Sequence, residues 1–424
     1  MFGKKKSPNI LTDKLLALPN LSSSDSKAYQ LSESGFTFQV YSSINDLPLD
    51  WEKAQHPKNI YLQRPILKAI EEAPPKGIKC CYLIFYRNGA PIGIAYCQIL
   101  NFKTNENVQD LEGKGALKAF TSSVKSFLAK QFEFNLLVCG NLLFTGDHGH
   151  YFNETITPPA QAAKILDEAL DKTQLFWKER KIKTDGIFIK DIDEERSVCR
   201  QNLISDKYRE FLFHPNMVLP LRTNWNSMND YLMDISSKYR VRAKKAFKCG
   251  QPIEKKELSL EYLQANKDHL YELYKGVMVT AGFNMVTLHE NYIVKLKEYL
   301  VDDLTVTGYF LNGEMIGYRT NIKNYHELEA HFLGYDQSYN KECQLYMNML
   351  LDSLQQGIEE KVERVVYART AMEIKSTIGA IPEDLFCYIR ANNKFMNSIM
   401  PPILEYFRPD DDWIQRNPFK EVGE

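Results

Sequence analysis

The sequence lacks the features that mark several large classes of protein. Its eight cysteines are scattered, with only Cys80 and Cys81 adjacent, so neither a metal-binding Cys-x-x-Cys spacing nor a disulfide framework is indicated. No apolar run approaches the roughly 20 residues that span a bilayer. A charge excess is also missing, since 53 Lys and Arg residues oppose 54 Asp and Glu residues. This balance argues against a protein that coats polyanions.

What the chain does have is length and apolar content. Its 424 residues are 44% hydrophobic and 12% aromatic, which is enough core for more than one ordinary domain. Scattered cysteines favour a reducing cytoplasm. The basic start, MFGKKK, would suit contact with an anionic membrane, although a solvated terminus is the simpler interpretation. We expect a cytoplasmic protein without a transmembrane segment, with peripheral membrane contact as the alternative.

Residues 304–379 predict one continuous supersecondary unit. Two β-rich runs meet at Asn312-Gly313, a pair that tolerates the positive φ of a tight hairpin turn. A third strand, an amphipathic helix and a buried fourth strand follow. A weaker copy with Asn88-Gly89 at its hairpin lies in the first half, where residues 104–130 form an insertion before the third strand. Two tandem copies of one module are therefore predicted.

The repeat defines the expected fold class and domain organisation. We expect an α/β chain of the α+β type, in which each module is a mixed, mostly antiparallel sheet flanked by helices. A polar, serine-rich stretch precedes the first strand, so residues 1–34 are predicted to be a flexible arm. The first module is then predicted at 35–222 and the second at 223–424.

The densest polar group of the first half follows its predicted third strand. Asp147, His148 and His150 lie there beside Gly146 and Gly149, which let the backbone turn. Asp and His are good metal ligands, but a hydrogen-bonded turn is favoured because no third or fourth ligand can be assigned. In a further interpretation Asp147 and His148 bind or deprotonate a substrate without a metal, and we keep it as a site hypothesis.

The most basic segment of the chain is predicted as a helix that ends at Gly250. A solvated helix face is the usual meaning of such a segment. The alternative is contact with the phosphates of a nucleotide-like cofactor or of RNA. Its basic residues are Arg240, Arg242, Lys244, Lys245 and Lys248.

The order of elements in the second half resembles the FemAB-like acyltransferase branch of the GNAT superfamily. A basic helix ending at Gly250 precedes the first strand, and a hairpin of the NGxxIG type follows at residues 312–317. A turn then leads into the long helix, and a last strand leads to Lys375 and Gly379-Ala380. The resemblance covers most of the second half, and the tandem GNAT architecture of the family would explain the first half. It implies transfer of an acyl or aminoacyl group to an amine.

The resemblance also implies where a donor would bind. In GNAT folds the third and fourth strands splay apart around the thioester arm, and the pyrophosphate lies at the N-terminus of the intervening helix. The corresponding turn spans residues 336–344, and the implied donor contacts are Lys341, Gln344 and Leu345. The turn departs from the family's Q/R-x-x-G-x-G/A pattern because it has no glycine, and Glu342 would oppose a phosphate.

Acylation of an amine requires a positioned amine and a general base. Glu329 and His331 are the candidate bases, because residues two apart on a strand share one face. Tyr335 is the candidate acid for the leaving thiolate. No metal is expected. The candidate substrate-binding residues are Asp147, His148, Arg319, Arg369 and Lys375.

These features together predict an N-acyltransferase. Its co-substrate would be acyl-CoA or an acyl carrier protein, and its acceptor a primary amine of a lipid, a cell-wall precursor or a small molecule. An aminoacyl-tRNA-dependent peptidyl transferase of the FemABX type is an alternative, less favoured because the chain has no sustained heptad pattern and a net charge of −1. A degenerate tandem GNAT protein that binds a ligand or partner without catalysis is the other alternative.

Overall fold

The computed structural model describes residues 26–103, 133–193, 207–279, 286–394, 396–397 and 413–420. Within these ranges the chain forms two mixed sheets, in each of which one parallel strand pair lies among antiparallel pairs. This confirms the predicted fold class. The insertion predicted at 104–130 lies outside the described residues. No helix in the described ranges is long and apolar enough to cross a membrane.

The first sheet is built mainly from the first half of the chain. Its strands are β1 (Ser26–Gln30), β2 (Phe36–Tyr41), β3 (Ile78–Arg87), β4 (Ala90–Lys103), β5 (Glu133–Cys139), β6 (His150–Phe152), β7 (Gly186–Asp193), β8 (Arg209–Leu212) and β16 (Leu385–Ala391). They lie in the order β1-β2-β3-β4-β5-β7-β16-β8, and β6 pairs with β4. The parallel pair is β5 and β7.

The second sheet follows the order predicted for the second module. Its strands are β9 (Asn216–Pro220), β10 (Glu254–Glu257), β11 (Leu304–Leu311), β12 (Glu314–Asn324), β13 (Glu327–Tyr335), β14 (Arg364–Val366) and β15 (Ile381–Glu383). They lie in the order β10-β11-β12-β13-β14-β9-β15, and β13 and β14 are the parallel pair.

Helices flank both sheets. In the described ranges they are α1 (Asp50–Ala54), α2 (Arg64–Glu72), α3 (Pro159–Glu179), α4 (Met228–Asp234), α5 (Ser237–Gly250), α6 (Leu260–Ala265), α7 (Lys267–Met278), α8 (Tyr292–Leu300), α9 (Gln337–Cys343), α10 (Leu345–Glu359) and α11 (Met372–Ser376). The basic segment was predicted to be one helix, but it is broken before Ser237. The break occurs because Ile235 forms a β-bridge with Phe419 and the Ser236 N–H donates to the Pro418 carbonyl.

Both predicted hairpin turns are present. Asn88 and Gly89 join β3 to β4 with φ of 50° and 82°, and Asn312 and Gly313 join β11 to β12 with φ of 52° and 84°. Successive positive φ values of this kind define the two-residue turn that matches the twist of antiparallel strands. The turn residues thus act locally, as the sequence pattern predicts.

The two sheets exchange strands across the predicted domain boundary. Strand β9, at residues 216–220, precedes the boundary at 222 but pairs with β14 and β15 of the second sheet. Strand β16, at residues 385–391, comes from the second half but pairs with β7 and β8 of the first sheet. The boundary at residue 222 stays a prediction. Each sheet nevertheless includes one strand from the other side of this boundary.

The structure differs from the predicted flexible arm, residues 1–34, near the C-terminal end of that segment. Residues 26–30 form β1, which pairs antiparallel with β2. The pairing is supported by Tyr29, whose ring stacks 5.2 Å from that of Phe38, and by Lys27, whose Nζ lies 2.7 Å from a Glu179 carboxylate oxygen. A short strand with alternating side chains therefore begins inside a stretch that composition alone assigns to a linker.

One hydrophobic cluster joins the two halves. It combines Trp51 and Tyr61 of the first half with Leu273, Tyr292 and Leu296 of the second. Helices α2 and α8 pack against each other within it. Apolar burial is the main favourable contribution to folding, so each half depends on the other for part of its core.

Leu296→Ala should lower the free energy of unfolding by about 2–5 kcal/mol, because a fully buried leucine is replaced by a cavity in the shared core. Chemical denaturation measures the change. Leu175→Ala is the matched control, since Leu175 is 52% exposed on α3. It should change the free energy by less than about 0.5 kcal/mol. Equal effects of the two substitutions would contradict a shared core.

Candidate active site

A gap opens in the second sheet where β13 and β14 diverge. The two strands pair through three positions, the last of which is Glu329 with Val366. Beyond Glu329, β13 continues to Tyr335 paired with β12. The chain after β14 turns away, with positive φ at Ala368, Thr370 and Ala371. The divergence of the third and fourth strands expected from the resemblance is therefore present, and Glu329 lies at its start.

Glu329 is a buried carboxyl group with a tyrosine as its side-chain partner. Its side chain is 4% exposed, and the Tyr61 hydroxyl donates a hydrogen bond to Oε2. Burial raises the pKa of Glu329 to about 8, although the Tyr61 hydroxyl and the Thr145 backbone N–H favour its ionised form. The group therefore exchanges a proton near physiological pH, as a general base must.

Tyr61 reaches Glu329 from the other half of the chain. It lies in a single helical turn at Ile60–Leu62, where the Asn59 side chain accepts from the Tyr61 N–H at 2.9 Å. The Ile60 N–H donates to Asn324 Oδ1 at the end of β12, at 3.0 Å. Contacts from both halves therefore fix the tyrosine, and the candidate site exists only where the halves meet.

His331 is buried beside Glu329, but burial shifts its pKa in the opposite direction. Its side chain is 2% exposed, and its Nδ1 lies 4.0 Å from Glu329 Oε1. Its Nε2 lies 2.9 Å from the Tyr292 hydroxyl, and its ring stacks on Phe144 at 4.4 Å. Burial lowers the pKa of His331 to about 3. The imidazole is thus neutral at physiological pH and is a poor proton acceptor.

The loop after β5 brings Asp147 and His148 to the same region. Its Phe144 covers His331, and the His148 ring lies 4.0 Å from the ring of Tyr61. Gly146 permits this arrangement, because it has φ of 130° and an added Cβ would lie 2.5 Å from His148 Nε2. The structure therefore places His148 next to Tyr61, whereas Asp147 lies half-buried in the same loop. A substrate role for the pair stays a prediction.

Arg369 and Lys375 already have protein partners. Arg369 forms a two-pronged ion pair with Asp191, at 2.5 and 3.1 Å, and donates to the His214 carbonyl. Lys375 Nζ donates to the carbonyls of residues 367, 368 and 369. Both side chains therefore hold the loop that follows β14. A direct substrate role for either stays a prediction and would have to compete with these contacts.

Arg319 is also engaged. It donates to the Tyr309 hydroxyl at 3.1 Å and to Gln356 Oε1 at 3.0 Å, and Tyr309 donates in turn to Asp352. The guanidinium is buried between β12 and α10. Its substrate role likewise stays a prediction.

The structure separates Tyr335 from Glu329. Five residues of strand lie between them, and the six residue steps correspond to about 20 Å at the usual rise per residue. Tyr335 is 7% exposed and packs near Tyr346. An acid and a base that serve one bond must lie within a few ångströms of the reacting atoms. A joint role of Tyr335 and Glu329 stays a prediction, and their separation along β13 does not favour it.

The predicted donor turn also differs from expectation. Residues 337–343 form the separate helix α9, and Gln344 has φ of 47° where α9 meets α10. The Asp336 carboxylate accepts from the Ser338 N–H at 2.8 Å, and Asn340 Oδ1 accepts from the Tyr346 N–H at 3.0 Å. Side chains therefore occupy one N–H group at each helix N-terminus, and Asp336 adds a negative charge.

The three predicted donor contacts occupy different environments. Lys341 is exposed on α9, and Gln344 is half-buried at the junction. The Leu345 side chain is 0% exposed and packs in a core cluster with Tyr309. Its side chain is therefore not exposed to a donor, and a donor contact at Leu345 stays a prediction. No group of three or more His, Cys, Asp or Glu side chains suited to a metal occurs in the described ranges.

The solved structures to which this chain is similar include FemX, which is 11% identical with a TM-score of 0.51 over 88% of this chain and 99% of FemX. The tandem GNAT protein of the clavulanic acid biosynthesis pathway is 9% identical, with a TM-score of 0.43. The match covers 81% of this chain and 93% of the clavulanic acid pathway protein. A probable N-acyltransferase from Enterococcus faecalis V583 is 9% identical, with a TM-score of 0.39. The match covers 84% of this chain and 72% of the Enterococcus protein.

No protein-family model matches the chain, and no curated protein matches it. The similarity to FemX, together with the two mixed sheets, shows that the chain has the fold of FemX, in agreement with the fold that the sequence resemblance implies. At 11% identity the similarity concerns the fold.

The stability of the protein should report the pKa of Glu329. The folded pKa of about 8 lies above the ordinary 4.5, so the native state holds a proton that the unfolded state has lost between these pH values. Relative to Glu329→Gln, the wild type should therefore lose about 1.4 kcal/mol of stability per pH unit between pH 4.5 and 8. Below pH 4.5 the difference should be constant.

Denaturant unfolding of both proteins across this range measures the difference. Glu314→Gln, at an exposed position in the β11–β12 hairpin, is the control for the loss of one carboxylate. Parallel stability curves for the wild type and Glu329→Gln would contradict the raised pKa.

Proposed function

We propose that this chain is an N-acyltransferase in which Glu329 is the general base. The observation that carries the proposal is a buried carboxyl group with a pKa of about 8 at the point where β13 and β14 separate. A base with this pKa is partly ionised at neutral pH and is still a strong proton acceptor, a combination that favours general base catalysis.

The reaction needs few protein groups. The amine nitrogen attacks the donor carbonyl, an N–C bond forms, and the C–S or C–O bond to the leaving group breaks. Glu329 accepts the proton that the nitrogen loses, and the leaving thiolate or alkoxide takes up a proton from solvent. Holding the two reactants together in the gap supplies much of the acceleration.

The surrounding residues orient the base. The Tyr61 hydroxyl holds Oε2 of Glu329, and in the proposed reaction the carboxylate accepts the proton of the amine. Burial lowers the pKa of His331 to about 3, which favours Glu329 over His331 as the base. The His331 imidazole, between Phe144 and the Tyr292 hydroxyl, packs beside the Glu329 carboxyl group.

The donor we propose first is an acyl thioester, carried by coenzyme A or by an acyl carrier protein, with a primary amine of a lipid, cell-wall precursor or small molecule as acceptor. One observation favours a second candidate, an aminoacyl-tRNA donor. Asp336 and Asn340 each accept from one N-terminal N–H group, of α9 and α10 respectively, at the turn where the resemblance would place a pyrophosphate. An aminoacyl ester places no pyrophosphate there.

A donor panel tests the proposal. Native mass spectrometry and turnover assays with acetyl- to palmitoyl-CoA, acyl carrier protein thioesters and charged tRNA should identify one class that binds saturably and transfers its acyl group. Transfer from charged tRNA alone would establish the second candidate. If no donor binds or reacts, the protein is a non-catalytic tandem GNAT protein and the proposal fails.

Glu329→Gln should lower kcat by about 10²- to 10⁴-fold with little change in KM, because the amide cannot accept the proton. Glu327→Gln is the matched control. That carboxylate lies two residues away on the same strand, where it pairs with Arg364, and its loss should leave kcat within a few-fold of the wild type. Similar losses from both substitutions would indicate a structural role for Glu329.

Tyr61→Phe should shift the pH dependence of kcat to higher pH. The lost hydroxyl stabilises the ionised form of Glu329, so its removal raises the pKa from about 8 by about one unit. Tyr82→Phe is the control, because it removes an equally buried hydroxyl that donates to Glu71 instead. A profile that moves to lower pH, or moves equally in both variants, would contradict the assigned contact.

A further inference from the structure

Helix α5 concentrates positive charge on one element. About one residue in eight of the whole chain is Lys or Arg, 53 of 424. In the 14 residues of α5 six are basic and none is acidic. The basic residues are Lys238, Arg240, Arg242, Lys244, Lys245 and Lys248.

The buried side of α5 is made of small residues. Ala243, Ala246 and Gly250 are buried, and the Asn348 side chain of α10 donates to the Ala246 carbonyl at 2.9 Å. An added Cβ on Gly250 would lie 2.7 Å from that amide. This close packing fixes which side of α5 faces outward.

We define the basic face as the exposed side of α5, with Lys238, Val241, Arg242, Lys244, Lys245 and Lys248. Within the described ranges no carboxylate forms an ion pair with these cations. Lys238 and Arg242 lie near the ring of the half-buried Tyr239. The adjacent helix α9 exposes Lys341 and Glu342, whose charges cancel. Among the described residues, the cations of the basic face are therefore not neutralised by ion pairs.

The basic face also exposes apolar surface. Val241 lies among the cations and is 64% exposed. Met233, four residues before the start of α5, is 56% exposed. Basic residues around exposed apolar side chains are typical of helices that lie on anionic bilayers, where the cations meet lipid phosphates and the apolar groups enter the headgroup region.

We propose that the basic face of α5 docks the protein on an anionic phospholipid surface. A helix of 14 residues is about 21 Å long, which is long enough to contact several lipid headgroups at once. RNA is the less favoured polyanion, because single strands are held by exposed aromatic rings and both aromatic residues of α5, Tyr239 and Phe247, are half-buried. The docking is independent of the proposed reaction and needs no substrate.

Vesicle co-sedimentation of the full chain tests the proposal. We expect binding to vesicles of phosphatidylcholine with phosphatidylglycerol, no binding to phosphatidylcholine alone, and loss of binding as salt screens the charges. Removal of one lysine or arginine near an anionic surface weakens binding by about fivefold. Lys238→Gln, Arg242→Gln and Lys245→Gln combined should weaken it at least tenfold.

Two control variants separate α5 from the rest of the chain. Lys164→Gln, Lys178→Gln and Lys183→Gln remove three exposed cations elsewhere and should bind like the wild type. Lys4→Gln, Lys5→Gln and Lys6→Gln remove the cations of the sequence start and should retain most of the binding.

Three results would overturn the proposal. The first is equal binding by the α5 variant and the wild type. The second is loss of binding in the variant of Lys4, Lys5 and Lys6 but not in the α5 variant. The third is binding of the wild type to RNA but not to anionic vesicles, which would assign the face to nucleic acid. Circular dichroism of the α5 variant should match the wild type, so that lost binding reflects charge.

Discussion

The hydrophobic core shared by the two sheets is the constraint on which the remaining features depend. Trp51 and Tyr61 from the first half and Tyr292 and Leu296 from the second are buried in one cluster. Strands β9 and β16 are exchanged across the predicted boundary, so the chain also links the halves through backbone hydrogen bonds. A residue of one half can therefore be held at a fixed distance from a residue of the other, as Tyr61 is from Glu329.

Two buried carboxyl groups show how their partners decide the role of each. Asp191 is fully buried, but Arg369 and Lys190 outweigh the effect of burial and hold its pKa well below the usual range. It remains an anion that ties the loop after β14 to β7, and Lys190 also donates to the Phe144 carbonyl at 2.7 Å. Among the residues that the structure describes, no such cation contacts Glu329, so burial dominates and its pKa rises. The first arrangement stabilises structure, and the second is suited to proton transfer.

The parts that the sequence predicts well are those that depend on local chemistry. The hairpins follow from Asn312-Gly313 and Asn88-Gly89, and Glu329 and His331 share a face because strands alternate. The partners of these two residues, Tyr61 and Phe144, could not be found in this way, since Tyr61 lies 268 positions from Glu329 and no local pattern links them. The pairing of β9 and β16 with the sheet of the other half could not be predicted either, because no local sequence pattern indicates it. The N-terminal cap of α9 at Asp336 could have been predicted, because an Asp before a helix is an N-terminal signal.

The arrangement at α9 and α10 bears on how a donor would be held. A pyrophosphate gains most from helix N-terminal N–H groups that are free and from a region without competing anions. Asp336 and Asn340 each accept from one N-terminal N–H group, so fewer of these groups are free. Asp336 and the exposed Glu342 also place competing negative charges at this turn. The turn is therefore less favourable for phosphates than one with free N–H groups and no carboxylate. We expect the donor to be recognised mainly by the group that enters the gap beyond Glu329, which would make affinity depend on the acyl or aminoacyl part more than on its carrier.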